Sequence, residues 1–203
     1  MTFMSFPSLN IEYYCLSRNK VVAGLDEVGR GAIAGPVVAS VVILEEPLWI
    51  DGVNDSKLLT HKKRILLYKK LEKHVHFSFG VVSNELIDKY GIRYATYLAM
   101  LKALRSININ PDVVLIDGVK TVIKLPLNNA FYFVRGDQKF ASISYASILA
   151  KVYRDRLMIN LSKKFPMYKW NKNKGYGTKE HFSAIQKYGI SSYHRRTFVE
   201  KIN

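Results

Sequence analysis

The sequence has almost no cysteine and no long apolar segment, and each absence excludes a class of protein. Its one cysteine, Cys15, cannot form a disulfide within the chain or a cysteine-rich zinc site. The longest apolar stretch, residues 36–44, is interrupted by Ser40 and is far shorter than the roughly 18 residues of a membrane-spanning helix. Residues 1–20 lack the basic and apolar blocks of a targeting signal. We therefore expect a cytoplasmic protein that does not associate with membranes.

Acidic residues are scarce as well. The 203 residues include 16 Asp and Glu against 31 Lys and Arg, so the formal net charge is +15. A surplus of this size attracts nucleic acid, because each phosphate contact releases condensed counterions. A basic composition is equally typical of proteins encoded by AT-rich genomes, in which Lys and Asn codons are frequent. Charge alone does not decide between a surface that binds polyanions and a compositional bias.

Apolar, β-branched runs alternate with helical periodicity along the chain, without a repeat or a Gly/Ser-rich linker. These patterns predict strands over 21–25, 37–44, 74–83, 113–116 and 131–134. They predict helices over 92–107, 142–165 and, after the capping residue Thr178, up to 188. This order is typical of a mixed α/β sheet covered by helices. We expect a single domain over residues 1–203, with a core over about 20–165 and a C-terminal extension over about 166–203.

In a chain this basic, four acidic residues stand out because each follows an apolar strand. Asp26 and Glu27 come directly after the first strand, Asp117 ends a later one, and Asp137 lies just past the last. Carboxylates that converge at strand ends repel one another and raise each other's pKa. A divalent cation removes that conflict, and carboxylate oxygens select Mg²⁺ or Mn²⁺ over zinc. Each acid alone also fits a turn beside glycine, and only the set of four favours a metal site.

A short glycine loop follows the acidic pair at residues 29–31, with the sequence Gly-Arg-Gly. Glycines let a backbone approach a ligand closely and expose N–H groups to a phosphate or a sugar. The alternative is a plain turn between two strands. The loop is not a dinucleotide-binding fingerprint, because the glycine spacing differs and a strand rather than a helix follows.

Six blocks of sequence together carry a specific signal. They are GLDEVGRG at 24–31 with GPV at 35–37, NDSKL at 54–58, LIDG at 115–118, GD at 136–137 with SISYASILAKV at 142–152, KGYGT at 174–178, and HRRTF at 194–198. In this order, over nearly the whole chain, the blocks resemble ribonuclease HII, the type 2 ribonucleases H. The resemblance implies a ribonuclease H-like α/β fold with a small helical C-terminal extension. It also implies an endonuclease that hydrolyses the RNA strand of RNA/DNA hybrids by a two-metal mechanism. Such enzymes incise 5′ of ribonucleotides embedded in duplex DNA and leave 3′-hydroxyl and 5′-phosphate ends.

The resemblance assigns roles to individual residues. The family's catalytic carboxylates correspond to Asp26, Glu27, Asp117 and Asp137. The first three would hold one Mg²⁺ or Mn²⁺ ion without substrate, and Asp137 would help to hold a second ion once substrate is bound. The substrate-binding residues correspond to Gly29, Arg30, Gly31, Lys57 and Tyr176. The loop backbone would contact 2′-hydroxyls, Lys57 a phosphate near the cut, and Tyr176 the deoxyribose after the ribonucleotide.

The chain departs from the family pattern in a few places, none of which is a catalytic carboxylate. Tyr145 stands where alanine is usual, Thr197 replaces serine, and residues 119–136 form a slightly long connection. Ribonuclease HIII is a weaker alternative, because of Arg30 and the short segment before the first strand. A hybrid-binding module without activity would have lost a carboxylate. Nucleases of the Holliday-junction or transposase type lack the glycine loop and the KGYGT block. We expect a monomer, with a replication clamp as a further candidate partner.

Other charged residues are predicted to serve structure. Asp155 and Lys151 fit an exposed ion pair on a helix. Residues 62–64, Lys-Lys-Arg, and 69–70, Lys-Lys, fit a solvated helix face, with part of the substrate track as the weaker alternative.

The histidines leave alternatives open. His74 and His76 would share one face of a strand, where metal binding lacks a third ligand. His181 and His194 lie in the basic C-terminal segment and would either contact phosphate or pack.

Overall fold

Five strands form one sheet with helices on both faces in the computed structural model, which describes residues 7–53, 56, 59–120 and 124–200. The strands are β1 (Val22–Val28), β2 (Val37–Leu44), β3 (His76–Val82), β4 (Val113–Asp117) and β5 (Ala130–Phe133). The helices are α1 (Asn10–Leu16), α2 (His61–His74), α3 (Asn84–Ser106), α4 (Ala141–Lys164), α5 (Trp170–Asn173), α6 (Lys179–Tyr188) and α7 (Arg196–Val199). The predicted α/β class is confirmed.

The sheet topology decides where the functional residues meet. The strand order is β3-β2-β1-β4-β5, in which β2 runs antiparallel to both β1 and β3, while β1, β4 and β5 are parallel. Parallel neighbours end at the same edge of a sheet, and the register pairs Leu25 of β1 with Ile116 of β4. The next residue along each strand is an aspartate, so Asp26 and Asp117 follow this pair side by side.

Close packing of α4 on β1 explains a glycine within a strand. Both faces of β1 and β2 are covered, by α4 and α2 on one side and by α3 on the other. A Cβ added at Gly24 would lie 2.1 Å from the backbone carbon of Ser142, at the start of α4. The first turns of α4 are therefore pressed against the strand that carries the acidic pair.

Several element boundaries differ from the sequence prediction. Helix α3 begins at Asn84 rather than at 92, because the Ser83 side chain caps it, and Gly91 with φ +80° interrupts its helical backbone. Helix α1 was not expected. His74 ends α2 instead of starting β3, so the prediction that His74 and His76 share a strand is wrong. The imidazole of His76 instead lies 3.6 Å from Glu45 at the exposed start of β3.

The residues after α4 fold back onto the connection between β1 and β2. Isolated β-bridges join Ala32 to Tyr176 and Ala34 to His194. Trp170 is fully buried in the small apolar cluster beneath these bridges. The expected helix after Thr178 is α6, and the Thr178 side chain accepts a hydrogen bond from the backbone of His181. None of the helices in the described part of the chain is long and apolar enough to cross a membrane.

Tyr145, the departure from the family pattern, is a core residue. Its hydroxyl donates to the Leu48 carbonyl at 2.8 Å and accepts from the Ile50 amide at 3.1 Å. Burial raises the pKa of this phenol to about 12. The tyrosine thus ties the segment after β2 to α4.

Candidate active site

A cavity of about 520 Å³ opens at the sheet edge where β1 and β4 end. One wall is acidic, with Asp26, Glu27 and Asp117. The second is the glycine loop at 29–31. The third wall is polar and basic, and it consists of Ser56, Arg64, Ser147, Lys151 and Tyr176. The structure therefore brings the first three predicted carboxylates, the glycine loop and Tyr176 to one place.

Burial, reinforced by repulsion among the acids, raises the pKa of the central carboxyl of the acidic wall. Asp26 is only 5% exposed, and burial raises its pKa well above the usual range. The negative charges of Glu27, Asp117 and Asp137 raise the pKa of Asp26 further, whereas a hydrogen bond from Ser147 opposes the shift. Asp137 does not line the cavity wall, but it lies close enough to act on Asp26 and is itself 2% exposed. The four predicted carboxylates therefore belong to one electrostatic cluster.

Backbone amides hold two of the acids in place. Asp26 Oδ1 accepts from the Glu27 amide at 2.7 Å. Asp117 Oδ1 accepts from the Gly136 amide at 2.6 Å, which ties the end of β4 to the short 3-10 helix that carries Asp137. The slightly long connection between Asp117 and Asp137 is thus closed by a direct hydrogen bond.

The donor chemistry of this wall fits a divalent cation. Burial raises the pKa of Glu27, while its ion pair with Arg30 at 3.2 Å lowers it. The buried Glu27 Oε2 has no hydrogen-bond partner among the residues that the structure describes. Within the same residues, no three acidic, histidine or cysteine side chains already stand as a ligand set. Mg²⁺ and Mn²⁺ prefer carboxylate oxygens as ligands, and this wall supplies several, one of them without a hydrogen-bond donor in the described part of the chain. The carboxylate side chains would have to rotate towards one another to hold an ion.

The two glycines of the loop have different surroundings. Gly29 has φ +92°, and an added Cβ would lie 2.1 Å from Nε of the buried Arg154, so packing within the chain requires glycine there. A Cβ at Gly31 would meet no atom within 4 Å among the described residues. Packing within the described residues therefore does not require glycine at this position, which lines the cavity.

Two residues of the basic wall and the acid behind them are less exposed than predicted. Asp155 and Lys151 do form an ion pair at 2.7 Å, but Asp155 is only 4% exposed rather than on the surface. Arg64, expected on a solvated face, is 8% exposed and donates to the carbonyls of Ser56 and Leu59. It also lies 3.9 Å from Asp155. One buried acid thus orients two cations that line the cavity.

A serine pair completes this wall, and the sequence reasoning missed it. The hydroxyls of Ser56 and Ser147 lie 2.9 Å apart, and Ser147 also hydrogen-bonds Asp26. Ser147 and Lys151 are four residues apart on α4 within the 142–152 block, and this helical spacing was the available signal.

Tyr176 stands at the junction of the glycine loop and the basic wall. Its backbone bridges to Ala32, and its half-buried ring lies 5.7 Å from Lys151 Nζ and 5.4 Å from the guanidinium carbon of Arg154. The other predicted contact on this side, Lys57, lies outside the described residues.

The mixed sheet, with its carboxylate cluster at the ends of adjacent parallel strands, defines a nuclease of the ribonuclease H-like class. The family model described as Ribonuclease HII matches residues 23–201. The chain belongs to the ribonuclease HII family.

Individual relatives agree with this assignment. Ribonuclease HII of Rickettsia akari is 48% identical over 180 residues, which is 89% of this chain and 92% of the relative. The crystal structure of ribonuclease H2 from Pyrococcus horikoshii has a TM-score of 0.70 at 28% identity and covers 90% of this chain and 96% of its own. The ribonuclease HII of Archaeoglobus fulgidus, solved in a complex with PCNA, has a TM-score of 0.69 at 23% identity. The match covers 87% of this chain and 94% of the Archaeoglobus chain, so the two proteins share the fold.

Family membership establishes the general activity. The chain is a ribonuclease H, a hydrolytic endonuclease of a family that cleaves the RNA strand of RNA/DNA hybrids. Divalent-metal dependence is general in this family. The family match favours ribonuclease HII over the alternative of ribonuclease HIII, and all four carboxylates argue against a module without activity.

Proposed function

We propose that this ribonuclease incises 5′ of single ribonucleotides embedded in duplex DNA, besides cleaving long hybrids, and leaves 3′-hydroxyl and 5′-phosphate ends. The observation that carries the proposal is the lining of the cavity: three carboxylates, a glycine loop and a half-buried aromatic ring share it. The acids serve the chemistry, and the loop and the ring serve the recognition of the sugar. One cavity would thus recognise the ribonucleotide and hydrolyse the phosphodiester 5′ of it.

The acidic wall holds the metal ions in this proposal. Asp26, Glu27 and Asp117 would hold one Mg²⁺ or Mn²⁺ ion, and Asp137 would help to hold a second when substrate is bound. Paired ions at a phosphodiester supply a hydroxide nucleophile and stabilise the leaving 3′-oxygen. The chain's own contribution is to keep these carboxylates buried, close together and oriented by backbone amides. A cation held by these carboxylates would offset their mutual repulsion and favour the ionised form of Asp26.

The basic wall would position phosphates of the cut strand. Lys151 and Arg64 line the cavity and are oriented by Asp155, so their charges are held in place before substrate arrives. Lys57 is proposed to contact a phosphate near the cut. The surplus of positive charge adds affinity for any duplex, and this part of the affinity should fall steeply with salt.

The glycine loop and Tyr176 would distinguish ribose from deoxyribose. Gly29, Arg30 and Gly31 offer backbone groups to the 2′-hydroxyl, which is the atom that separates RNA from DNA. The absence of described protein atoms within 4 Å of a Cβ added at Gly31 supports a close approach of a ligand to this backbone. Tyr176, supplied by the C-terminal extension, would stack on the deoxyribose that follows the ribonucleotide.

A cleavage assay on three end-labelled duplexes tests the proposal. The substrates are a DNA duplex with one ribonucleotide, a long RNA/DNA hybrid and an all-DNA duplex. We expect incision 5′ of the single ribonucleotide, a product that a polymerase extends from its 3′-hydroxyl, and no cleavage of DNA. Cleavage of the long hybrid alone, or a product with a 3′-phosphate, would overturn the proposal.

Substitution of Tyr176 tests the recognition step separately. Stacking on a nucleic-acid component contributes roughly 1–3 kcal/mol, so Tyr176→Ala should lose about tenfold or more in cleavage at an isolated ribonucleotide. Tyr176→Phe keeps the ring and should lose much less, and long hybrids should be affected less than single sites. Equal loss on both substrates with a lowered melting temperature would mean that Tyr176 is a packing residue.

Metal number and partners require their own measurements. Calorimetric titration of Mn²⁺ should give one ion per free chain, and a second ion in the presence of an uncleavable substrate analogue. The complex of the Archaeoglobus relative with PCNA motivates a test of clamp binding by size-exclusion chromatography. The same run would show whether the free protein is monomeric. The cytoplasmic location stays a prediction.

A further inference from the structure

Two buried histidines behind Tyr176 have no part in the proposed chemistry. His181 on α6 is fully buried, and His194, just before α7, is 1% exposed. Their ring centroids lie 5.2 Å apart, among the rings of Tyr168 and Trp170. Neither lines the cavity, so the predicted phosphate contacts are excluded and packing is the better description.

The hydrogen bonds determine which nitrogen of each ring carries its proton. The Trp170 indole N–H can only donate, and it points to His181 Nε2 at 3.0 Å. His181 Nε2 therefore accepts, and the proton is on Nδ1, which donates to the Tyr176 carbonyl at 2.9 Å. The Ser191 amide likewise donates to His194 Nδ1 at 2.9 Å, so the proton of His194 is on Nε2.

The two assignments agree at the point where the rings meet. His194 Nε2–H donates at 3.1 Å to His181 Nε2, the same nitrogen that accepts from Trp170. Every ring nitrogen of the pair is used, and a further proton on either ring would place two N–H groups against each other. Burial lowers the pKa of both histidines, to about 4 for His194, where the charge of His181 lowers it further. Both rings are therefore neutral. The hydrogen bonds all run one way, from the Ser191 amide through His194 and His181 to the Tyr176 carbonyl.

We infer that His181 and His194 are positioning residues that set the backbone of Tyr176 for ribonucleotide recognition, an inference that rests on the proposed role of Tyr176. The Tyr176 carbonyl accepts from His181 on one side, while its strand bridge to Ala32 ties it to the glycine loop on the other. The segment of His194 also bridges to Ala34. The pair thus connects the two parts of the molecule that would read the sugar. A shift of this carbonyl would move the ring relative to the loop while leaving the carboxylates in place.

Two substitutions of His181 separate this role from simple packing. In His181→Asn, the amide nitrogen can take the place of Nδ1–H and donate to the Tyr176 carbonyl. In His181→Gln, the amide reaches towards Trp170 and His194 instead, so the carbonyl loses its side-chain donor and keeps only the Thr178 amide at 2.9 Å. Both variants reduce the ring to an amide of related size, so they form a matched pair.

The readout is selectivity, taken as the ratio of kcat/KM for a single embedded ribonucleotide to kcat/KM for a long hybrid. We expect His181→Gln to lower this ratio about tenfold, the effect of one lost hydrogen bond at a recognition residue. We expect His181→Asn to keep it within about twofold. Equal loss by both variants on both substrates, together with equal loss of melting temperature, would overturn the inference. An unchanged ratio in His181→Gln would overturn it as well.

Tyr176→Ala, assayed in parallel, distinguishes failure of the inference from failure of the proposed function. If Tyr176→Ala lowers the ratio and His181→Gln does not, only the positioning role falls. If Tyr176→Ala leaves the ratio unchanged, the recognition role of the tyrosine falls first.

Nitrogen-15 NMR of the wild-type protein tests the network without relying on activity or on the folding of a variant. At pH 7 we expect the Nδ1–H tautomer for His181 and the Nε2–H tautomer for His194. Opposite tautomers, or a protonated ring, would overturn the inference.

Discussion

The carboxylate cluster and the histidine pair are both buried groups of titratable side chains, and they resolve burial in opposite ways. In the cluster, like charges converge, the pKa of Asp26 is raised well above its usual range, and Glu27 Oε2 lacks a hydrogen-bond partner among the described residues. In the pair, every ring nitrogen has a partner, and burial lowers the pKa values so that both rings are neutral.

The difference indicates what each region is for. Buried polar groups are normally satisfied within the protein, so an electrostatic conflict that the chain does not resolve points to a ligand that resolves it. The carboxylate cluster fits that description because a divalent cation would remove the repulsion. A network without unmet groups, as in the histidine pair, fixes geometry instead. Chemistry and positioning therefore separate along the chain, with the acids in the first 137 residues and the pair in the C-terminal segment.

Removing one charge from the cluster should have the largest effect on activity. Asp26→Asn deletes a proposed metal ligand, and a contribution of several kcal/mol to the transition state corresponds to a loss of about 1000-fold or more in kcat. Because the raised pKa means that the ionised Asp26 destabilises the folded protein at pH 7, the variant should melt at a higher temperature than wild type without metal. Asp117→Asn should lose activity similarly. Near-normal cleavage by either variant at saturating Mg²⁺ would remove these residues from the metal site.

The histidine pair should make stability depend on pH in the acidic range. The folded pKa of His194 is about 4, below the unfolded value of 6.5, so the unfolded chain binds more protons between these limits. Stability should therefore fall as pH drops from about 6.5 to 4, by up to about 3 kcal/mol. Urea unfolding of wild type and His194→Gln across this range isolates the effect. Parallel curves for the two proteins would contradict the assigned pKa shift.

Variants of Lys151 and Asp26 separate substrate affinity from catalysis, because the two residues lie on different walls of one cavity. Lys151→Gln removes one proposed phosphate contact, so substrate affinity should fall a few-fold and the slope of log K against log salt should decrease by about one. Asp26→Asn should leave both quantities nearly unchanged. Lys187→Gln, an equal charge change at an exposed position outside the cavity, is the matched control. Equal losses for the two lysine variants would mean that affinity is spread over the surface.

His76 provides the smallest expected effect and an exposed counterpart to the buried pair. Its imidazole is 68% exposed and lies 3.6 Å from Glu45, itself largely exposed. Exposed ion pairs contribute little, so His76→Ala should change the free energy of unfolding by less than about 0.5 kcal/mol at pH 7. A loss comparable to that in His194→Gln would show that exposure does not separate the two kinds of histidine.

Much of the architecture could be predicted from local sequence. β2 was predicted with the bounds that the structure shows, because an apolar β-branched run has few alternatives. The strands that lead into Asp26 and Asp117 were also predicted, although β1 extends past the acidic pair to Val28. Boundaries that depend on capping were less accurate, as the early start of α3 at Asn84 shows. Tyr176 was predicted from the KGYGT block at 174–178, whereas composition and charge alone do not single it out.

The sequence by itself determined the order of the strands along the chain, the carboxylates at their ends and the family. Only the tertiary structure decided that Asp155 and Arg64 are buried against the cavity, and that His181 and His194 meet behind Tyr176. The physical reason is that burial and hydrogen bonding of a charged or polar side chain depend on neighbours from distant parts of the chain. Arg64 reaches an acid on α4, 91 residues away, and no periodicity within α2 records that contact.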